Sequence, residues 1–264
     1  MKNIFLFLSL ILISCNPVSS DTKTKTQEVT FICAPCGSSC DSLTFEKPGK
    51  CPHCSMELVS TAGAELSQKE LTICFYLQDN VELLDFAGPM EVFVVAGFNV
   101  FTVSKTKEII TSQGTLKITP DYSIKDAPAS NVMVFFGGAH GAPTNDTEVI
   151  SWIRSRKNNT EYFMSVCTGA FIMGKAGILD NLTATTYHTQ IEALQKALPK
   201  TRVLPNVRFV DNGNVISTAG ISAGIDGALH FVAKIKGLDF AKKVAEDIEY
   251  DKWVPNQGLI IKAN

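Results

Sequence analysis

The spacing of apolar residues divides the chain into stretches of different character. At the start, MKNIFLFLSLILISC places one lysine before an apolar run of about ten residues, which is short for a bilayer span and right for the core of a signal peptide. The polar stretch NPVSSDTKTKTQ follows, with nothing in it to build a core. From Leu71 onward, short apolar runs alternate with segments of helical spacing. LTICFYL, FNVFTVS, NVMVFFGG and EYFMSV are predicted strands, and the first has the continuous apolar character of a strand buried on both faces. VELLDFAGPMEVFVVAG is a predicted helix, with Gly88-Pro89 bending or restarting its first turn. Thr147 to Lys157 is a second helix, with Asn145 or Asp146 as its N-cap, and another begins directly after Cys167. NVRFVDNGNVIST predicts a hairpin around Asn212-Gly213, and SAGIDGALHFVAKIKG and DFAKKVAEDIEY predict two closing helices. Strands that alternate with helices imply an α/β fold with a mostly parallel sheet sandwiched by helices. No internal repeat is visible.

These changes give the predicted organisation: a leader over 1–14, a tether over 15–28, a Cys-rich module over 29–60, a linker over 61–70, an α/β domain over 71–253 and a tail over 254–264. Leu12-Ile13-Ser14-Cys15 resembles the bacterial lipobox, in which the cysteine becomes the acylated N-terminus. The resemblance implies lipidation at Cys15 and a protein of the bacterial cell envelope, lipid-anchored and facing the periplasm. A plain secretory signal with an incidental cysteine is the other reading. The 264 residues are 45% hydrophobic and carry a formal charge of −2. That balance gives no electrostatic case for nucleic acid or for an acidic membrane surface, so the only membrane contact predicted is the lipid.

Five of the eight cysteines, Cys33, Cys36, Cys40, Cys51 and Cys54, crowd into the small module. A segment so poor in large apolar residues needs a metal or disulfides to fold. Cys33/Cys36 and Cys51/Cys54 form two Cys-x-x-Cys pairs separated by fourteen residues, a spacing that suits tetrahedral zinc. Disulfide pairing is the alternative in an oxidising compartment, although five cysteines leave one unpaired. The stretch PGKCPHCSMEL resembles the short heavy-metal-binding domain of bacterial metal-handling proteins. Cys36 stands where that family has histidine, and Ser55 replaces its glycine. These departures favour a zinc-ribbon-like thiolate site, while Met56 leaves another soft metal open. Cys40 and His53 read as bystanders, His53 because it sits inside the second pair and points outward.

The stretch SVCTGA sets a cysteine between a strand and a helix, as in a nucleophile elbow. A thiol at a helix N-terminus gains from unpaired N–H groups, which lowers its pKa. An isolated cysteine in apolar surroundings also reads as a small core residue, and Cys74 is a second such case. SVCTGAFIMGKAGILDNLTATT resembles the nucleophile segment of the ThiJ/PfpI superfamily. LLDFAGPMEVF, FFGG and GISAGIDGALHFVA agree with the same family in the same order, over about 180 residues. The resemblance implies a flavodoxin-like, class I glutamine amidotransferase-like fold. It is most similar to isocyanide hydratases and to the amidotransferase-like domain of AraC-type regulators.

Residue by residue, the resemblance implies that Cys167 is the nucleophile and Asp85 its acidic partner. It implies that the N–H groups of Thr168 and Gly138 form an oxyanion-type pocket. Read without the family, Asp85 is a carboxylate at a helix N-terminus and Gly137-Gly138 a turn. Thr168 occupies the place where peptidase-like members carry histidine, which disfavours a Cys–His protease. Thr185-Thr186-Tyr187-His188 departs from the hydratase-like Thr-Thr-His-Trp, so the role of His188 is open. His140 reads as a loop histidine that can face the pocket. The predicted function is an enzyme acting on a small electrophile, isocyanide-hydratase-like, with no cofactor at the catalytic site and a homodimer as the family implies. A non-catalytic periplasmic metal- or ligand-binding or sensing protein is the alternative. Transcription regulation is not expected, because such regulators append about a hundred residues carrying two helix-turn-helix motifs.

Overall fold

A computed structural model of the chain describes residues 30–33, 40, 43–60, 71–251, 253–255 and 257–261. The predicted leader, Cys15, Cys36 and the side chain of Cys33 lie outside the described residues. The chain divides into two compact units, Met1–Ser67 and Gln68–Asn264.

In the first unit, β1 (Phe31–Cys33), β2 (Thr44–Phe45) and β3 (Leu58–Ser60) form a three-stranded antiparallel sheet in the order β2-β1-β3. Its described core consists of Cys40 and Cys51, both buried, with Phe45, Cys54, Met56 and Leu58 packed around them. So few apolar groups cannot offset the chain entropy lost on folding.

The second unit is built on an eight-stranded sheet. Its strands in chain order are β4 (Thr72–Tyr76), β5 (Asn99–Ser104), β8 (Tyr122–Ser123), β9 (Val132–Phe135), β10 (Tyr162–Val166), β13 (Phe209–Asp211), β14 (Val215–Thr218) and β15 (Leu259–Ile260). The spatial order is β15-β13-β14-β10-β9-β4-β5-β8, and every pairing is parallel except the β13/β14 hairpin. The hairpin turns at Gly213, whose φ of +94° favours glycine. Alternation along β4 serves two cores. Ile73 and Phe75 face α1 (Leu83–Val95), α6 (Ala223–Lys236) and α7 (Leu238–Asp247). Cys74 and Tyr76 face α3 (Thr147–Arg156), α4 (Gly169–Lys175) and α5 (Ile191–Ala197). Burial on both faces is why these strands read as unbroken apolar runs.

Some sequence expectations are refined. Asp146 is the N-cap of α3, its carboxylate accepting from the N–H groups of Glu148 and Val149. Pro89 does not restart α1, which runs unbroken through it. Gly88 packs so close to Ile225 of α6 that a Cβ there would lie 2.7 Å from its Cγ1. Further elements were not anticipated: the edge strands β8 and β15, a hairpin of β6 (Ile110–Ser112) and β7 (Leu116–Ile118), the short α2 (Gly141–Asn145), the paired β11 (Thr183–Ala184) and β12 (Arg202–Val203), and α5 between them. The β6/β7 hairpin is tied to the loop before α1. Asn80 N–H donates to Thr111 O, Thr111 N–H to Asp79 Oδ1, and the Ser112 hydroxyl to Val81 O. No described helix is long and apolar enough to cross a membrane.

Candidate active site

The carboxyl ends of the central parallel strands β4, β9 and β10 meet at one edge of the sheet, the place where open α/β sheets hold their ligands. Cys167 follows β10 directly, with φ of +58°, a left-handed backbone that a cysteine adopts only under constraint. The constraint is visible. Its N–H donates to Ala219 O at 3.0 Å, and its carbonyl accepts from the Thr186 hydroxyl at 2.8 Å. Gly169 opens α4 with no room for a side chain, since a Cβ there would lie 2.2 Å from Phe135 O. The pattern Cys-Thr-Gly thus follows from geometry: a strained nucleophile turn, then a helix pressed against the neighbouring strand.

Asp85 lies in the first turn of α1 and is fully buried. Its Oδ2 accepts from Gly137 N–H and its Oδ1 from Ile221 N–H, both at 2.9 Å. The Cys167 thiol lies beside the same carboxylate, and the two groups shift each other's pKa. Gly137 is the floor on which the pair rests: a Cβ there would lie 2.6 Å from Asp85 Oδ2 and 2.8 Å from Cys167 Sγ. Gly138, φ +91°, takes the chain past Asn80, whose carbonyl a Cβ would meet at 2.2 Å. The structure therefore brings Cys167, Asp85, Thr168 and Gly138 together. It also adds Gly137, Ile221 and Thr186, which sequence reasoning did not single out. Ile221 shares the left-handed backbone, φ +59°, and so aims its N–H at Asp85.

Electrostatics overturns one expectation. The helix N-terminus was expected to lower the thiol pKa, but burial, then the Asp85 charge, push Cys167 up to about 12. The Thr168 N–H acts in the opposite direction and does not prevail. Burial also raises Asp85 to about 6, against the lowering effect of the Ile221 and Gly137 N–H groups. At neutral pH the resting pair is therefore a neutral thiol beside a carboxylate. A pair in that state can deliver a proton and a sulfur nucleophile in one step, with Asp85 taking the proton as the sulfur attacks. The other lone cysteine, Cys74, is buried in the sheet and also pushed up to about 12, as a core thiol should be.

A cavity of about 330 Å³ opens on Cys167 and is lined by Glu82, Gly138, His140, Thr168, Tyr187, Gln190 and neighbours. That volume suits a small molecule. His140 lines it, with its ring on Phe171 at 4.6 Å between centroids. His188 does not line it; its ring rests on Tyr187, which does.

In the first unit, the Sγ atoms of Cys40, Cys51 and Cys54 all lie within 4.8 Å of one another. Of the four cysteines predicted as ligands, Cys51 and Cys54 thus converge, and Cys40 is corrected from bystander to member of the group. The turn that brings the second pair together is short: Ser55 N–H donates to Cys51 O at 2.8 Å, with Ser55 at φ +61°. His53 is exposed and outside the group. Three convergent thiols, two of them buried, are a donor set that can hold a thiophilic metal.

Comparison with known proteins agrees with this fold. An isonitrile hydratase of Pseudomonas putida is 34% identical over 183 residues, covering 68% of this chain and 78% of that protein. The transcriptional regulator GbdR of Pseudomonas aeruginosa is 23% identical over 69% of this chain; the match spans 51% of the regulator. The crystal structure of a ThiJ/PfpI family protein from Pseudomonas syringae superposes with a TM-score of 0.65 at 28% identity, covering 70% of this chain and 77% of that one. Residues 71–234 match the DJ-1/PfpI family, and the chain belongs to that family.

Proposed function

We propose that the α/β unit is a cysteine-dependent hydratase of small electrophiles, isocyanides foremost. The observation that carries this reading is the buried Cys167–Asp85 pair, set side by side over Gly137 with the thiol lining a small cavity. The proposed reaction balances without a cofactor. Cys167 sulfur bonds to the terminal carbon of R–N≡C, and the thiol proton passes through Asp85 to that carbon, giving the thioimidate R–N=CH–S–Cys. Water then attacks this carbon and the C–S bond breaks. One water proton goes to nitrogen and the other to sulfur, releasing R–NH–CHO and the free thiol. The 34% identity to an isonitrile hydratase supports the choice of substrate. Incubating the protein with alkyl and aryl isocyanides should give the N-substituted formamides. Absence of product across isocyanides and dicarbonyls would sink the proposal. It would leave the second reading, a periplasmic binding or sensing protein, which the un-ionised resting thiol favours.

The proposal extends to the other parts of the chain. The Cys-rich unit holds zinc or another soft metal through Cys40, Cys51 and Cys54, and the bound ion supplies the folding energy its core lacks. Purified protein should carry about one thiophilic ion per chain. Cys40→Ser should lose most of it by elemental analysis, and an unchanged content would return Cys40 to bystander status. The protein is exported and acylated at Cys15. Expressed in a bacterial host, it should partition into the detergent phase, and Cys15→Ser should move it to the aqueous phase. Partition that ignores the substitution would rule out the anchor. The working assembly is a homodimer, as the family resemblance implies, for which light scattering should return twice the chain mass.

A further inference from the structure

The cavity above Cys167 is not electrically neutral. Glu82 lines it, and among the described residues no lysine or arginine does. Glu82 is the N-cap of α1, yet its side chain does not cap the helix. Its Oε1 instead accepts from Gln113 Nε2, and its backbone N–H donates to Gly137 O at 3.1 Å. Gln113 stands at the tip of the β6/β7 hairpin, φ +46°, and that hairpin is the one fastened to residues 79–82 by three further hydrogen bonds. The hairpin thus holds a carboxylate at the cavity wall. Glu82 is in no salt bridge among the described residues. Arg208 reaches Ser222, beside Ile221, but it is committed to Asp226 through Nε at 2.6 Å. The Glu82 charge reaches the reacting pair, since it raises Asp85.

A half-buried carboxylate without a counter-ion, facing a substrate cavity, is completed by a cationic donor on the ligand. We infer that Glu82 makes this site selective for small electrophiles that carry a protonated amine a few atoms from the carbon attacked by Cys167. The inference rests on the reading of Cys167 as the reacting thiol. Gln113 acts through Glu82 as a positioning residue, and touches no substrate.

The test uses the full chain and two thiol reagents with the same leaving group, 2-aminoethyl methanethiosulfonate and 2-sulfonatoethyl methanethiosulfonate. Each forms a mixed disulfide with Cys167 sulfur and releases methanesulfinate, while the thiol proton passes to Asp85 and on to water. Modification of Cys167 is followed by peptide mass spectrometry, and the cation-to-anion rate ratio is divided by that of a free thiol. The normalised ratio should exceed about ten in the wild type and fall at least fivefold in Glu82→Gln, which keeps the size of the side chain. Any change in the reactivity of the Cys167–Asp85 pair cancels in the ratio. A ratio that Glu82→Gln leaves within twofold, or a faster reaction with the anion, overturns the inference. An aminoalkyl isocyanide and its alkyl isostere give a second arm, the expected kcat/KM ratio favouring the amine and collapsing in Glu82→Gln. If neither isocyanide is turned over while the reagent ratio still depends on Glu82, the hydratase reading fails and the charge selectivity stands.

Discussion

Cys167→Ala should abolish isocyanide hydration, with kcat/KM down by 10⁴-fold or more, on the order of 5 kcal/mol of lost transition-state stabilisation. Within the α/β unit no other described thiol can substitute, since Cys74 is buried in the sheet core. The change should be catalytic and not structural. Alanine keeps the left-handed backbone already imposed on Cys167 by Ala219 and Thr186, and it removes only a sulfur that faces the cavity. The thermal midpoint should therefore move by no more than a few degrees. Retained turnover in a folded Cys167→Ala protein would exclude covalent catalysis. The expected adduct gives a second check, since wild type quenched in acid during turnover should carry the isocyanide mass on the peptide containing Cys167.

Asp85→Asn should lower kcat by about 10³-fold, within the range for loss of a positioned acid–base group. The amide cannot accept the thiol proton, and the sulfur it leaves behind is a neutral thiol whose pKa burial holds high. The pH profile carries the same information. Burial raises Asp85 from 3.8 to about 6, so folding favours its protonated form. Below pH about 6 the carboxylate is protonated and cannot act as base, and activity should fall on that side and be retained above it. The acidic limb should be absent from whatever activity Asp85→Asn keeps. A wild-type profile flat from pH 5 to 8 would remove Asp85 from the role of base. A Glu82→Gln protein should shift the limb to lower pH, because the Glu82 charge is one of the causes that raise Asp85.

These expectations draw unequally on sequence and structure. The α/β alternation was legible because each buried strand is a short apolar run and each covering helix has an apolar stripe, both set by local period. Weaker elements escaped for the same reason. The β6/β7 hairpin strands are three residues each, and β7 is largely exposed, so neither carries a period long enough to register. At the site, Cys167, Thr168 and Gly138 were legible from turn chemistry and family resemblance. Gly137 was in view only as half of a turn, and the structure makes it the floor under both reacting groups. Ile221 gave no signal, because its contribution is a backbone N–H delivered to a carboxylate 136 positions away in the chain.

The sequence by itself determined what local chemistry and period encode: the strand–helix order, the exposed turn that carries Cys167, the acidic residue opening α1, and a module too poor in apolar residues to fold without cross-links or metal. Tertiary structure alone decided what depends on groups meeting through space. It placed Cys40 with Cys51 and Cys54, because convergence of thiols is a matter of chain path and not of spacing. It reversed the expected ionisation of Cys167, because burial and a neighbouring carboxylate outweigh the N–H groups of one helix turn. It also set Glu82, which gave no signal in the sequence, at the wall of the cavity above Cys167, held there by a hairpin the sequence did not announce.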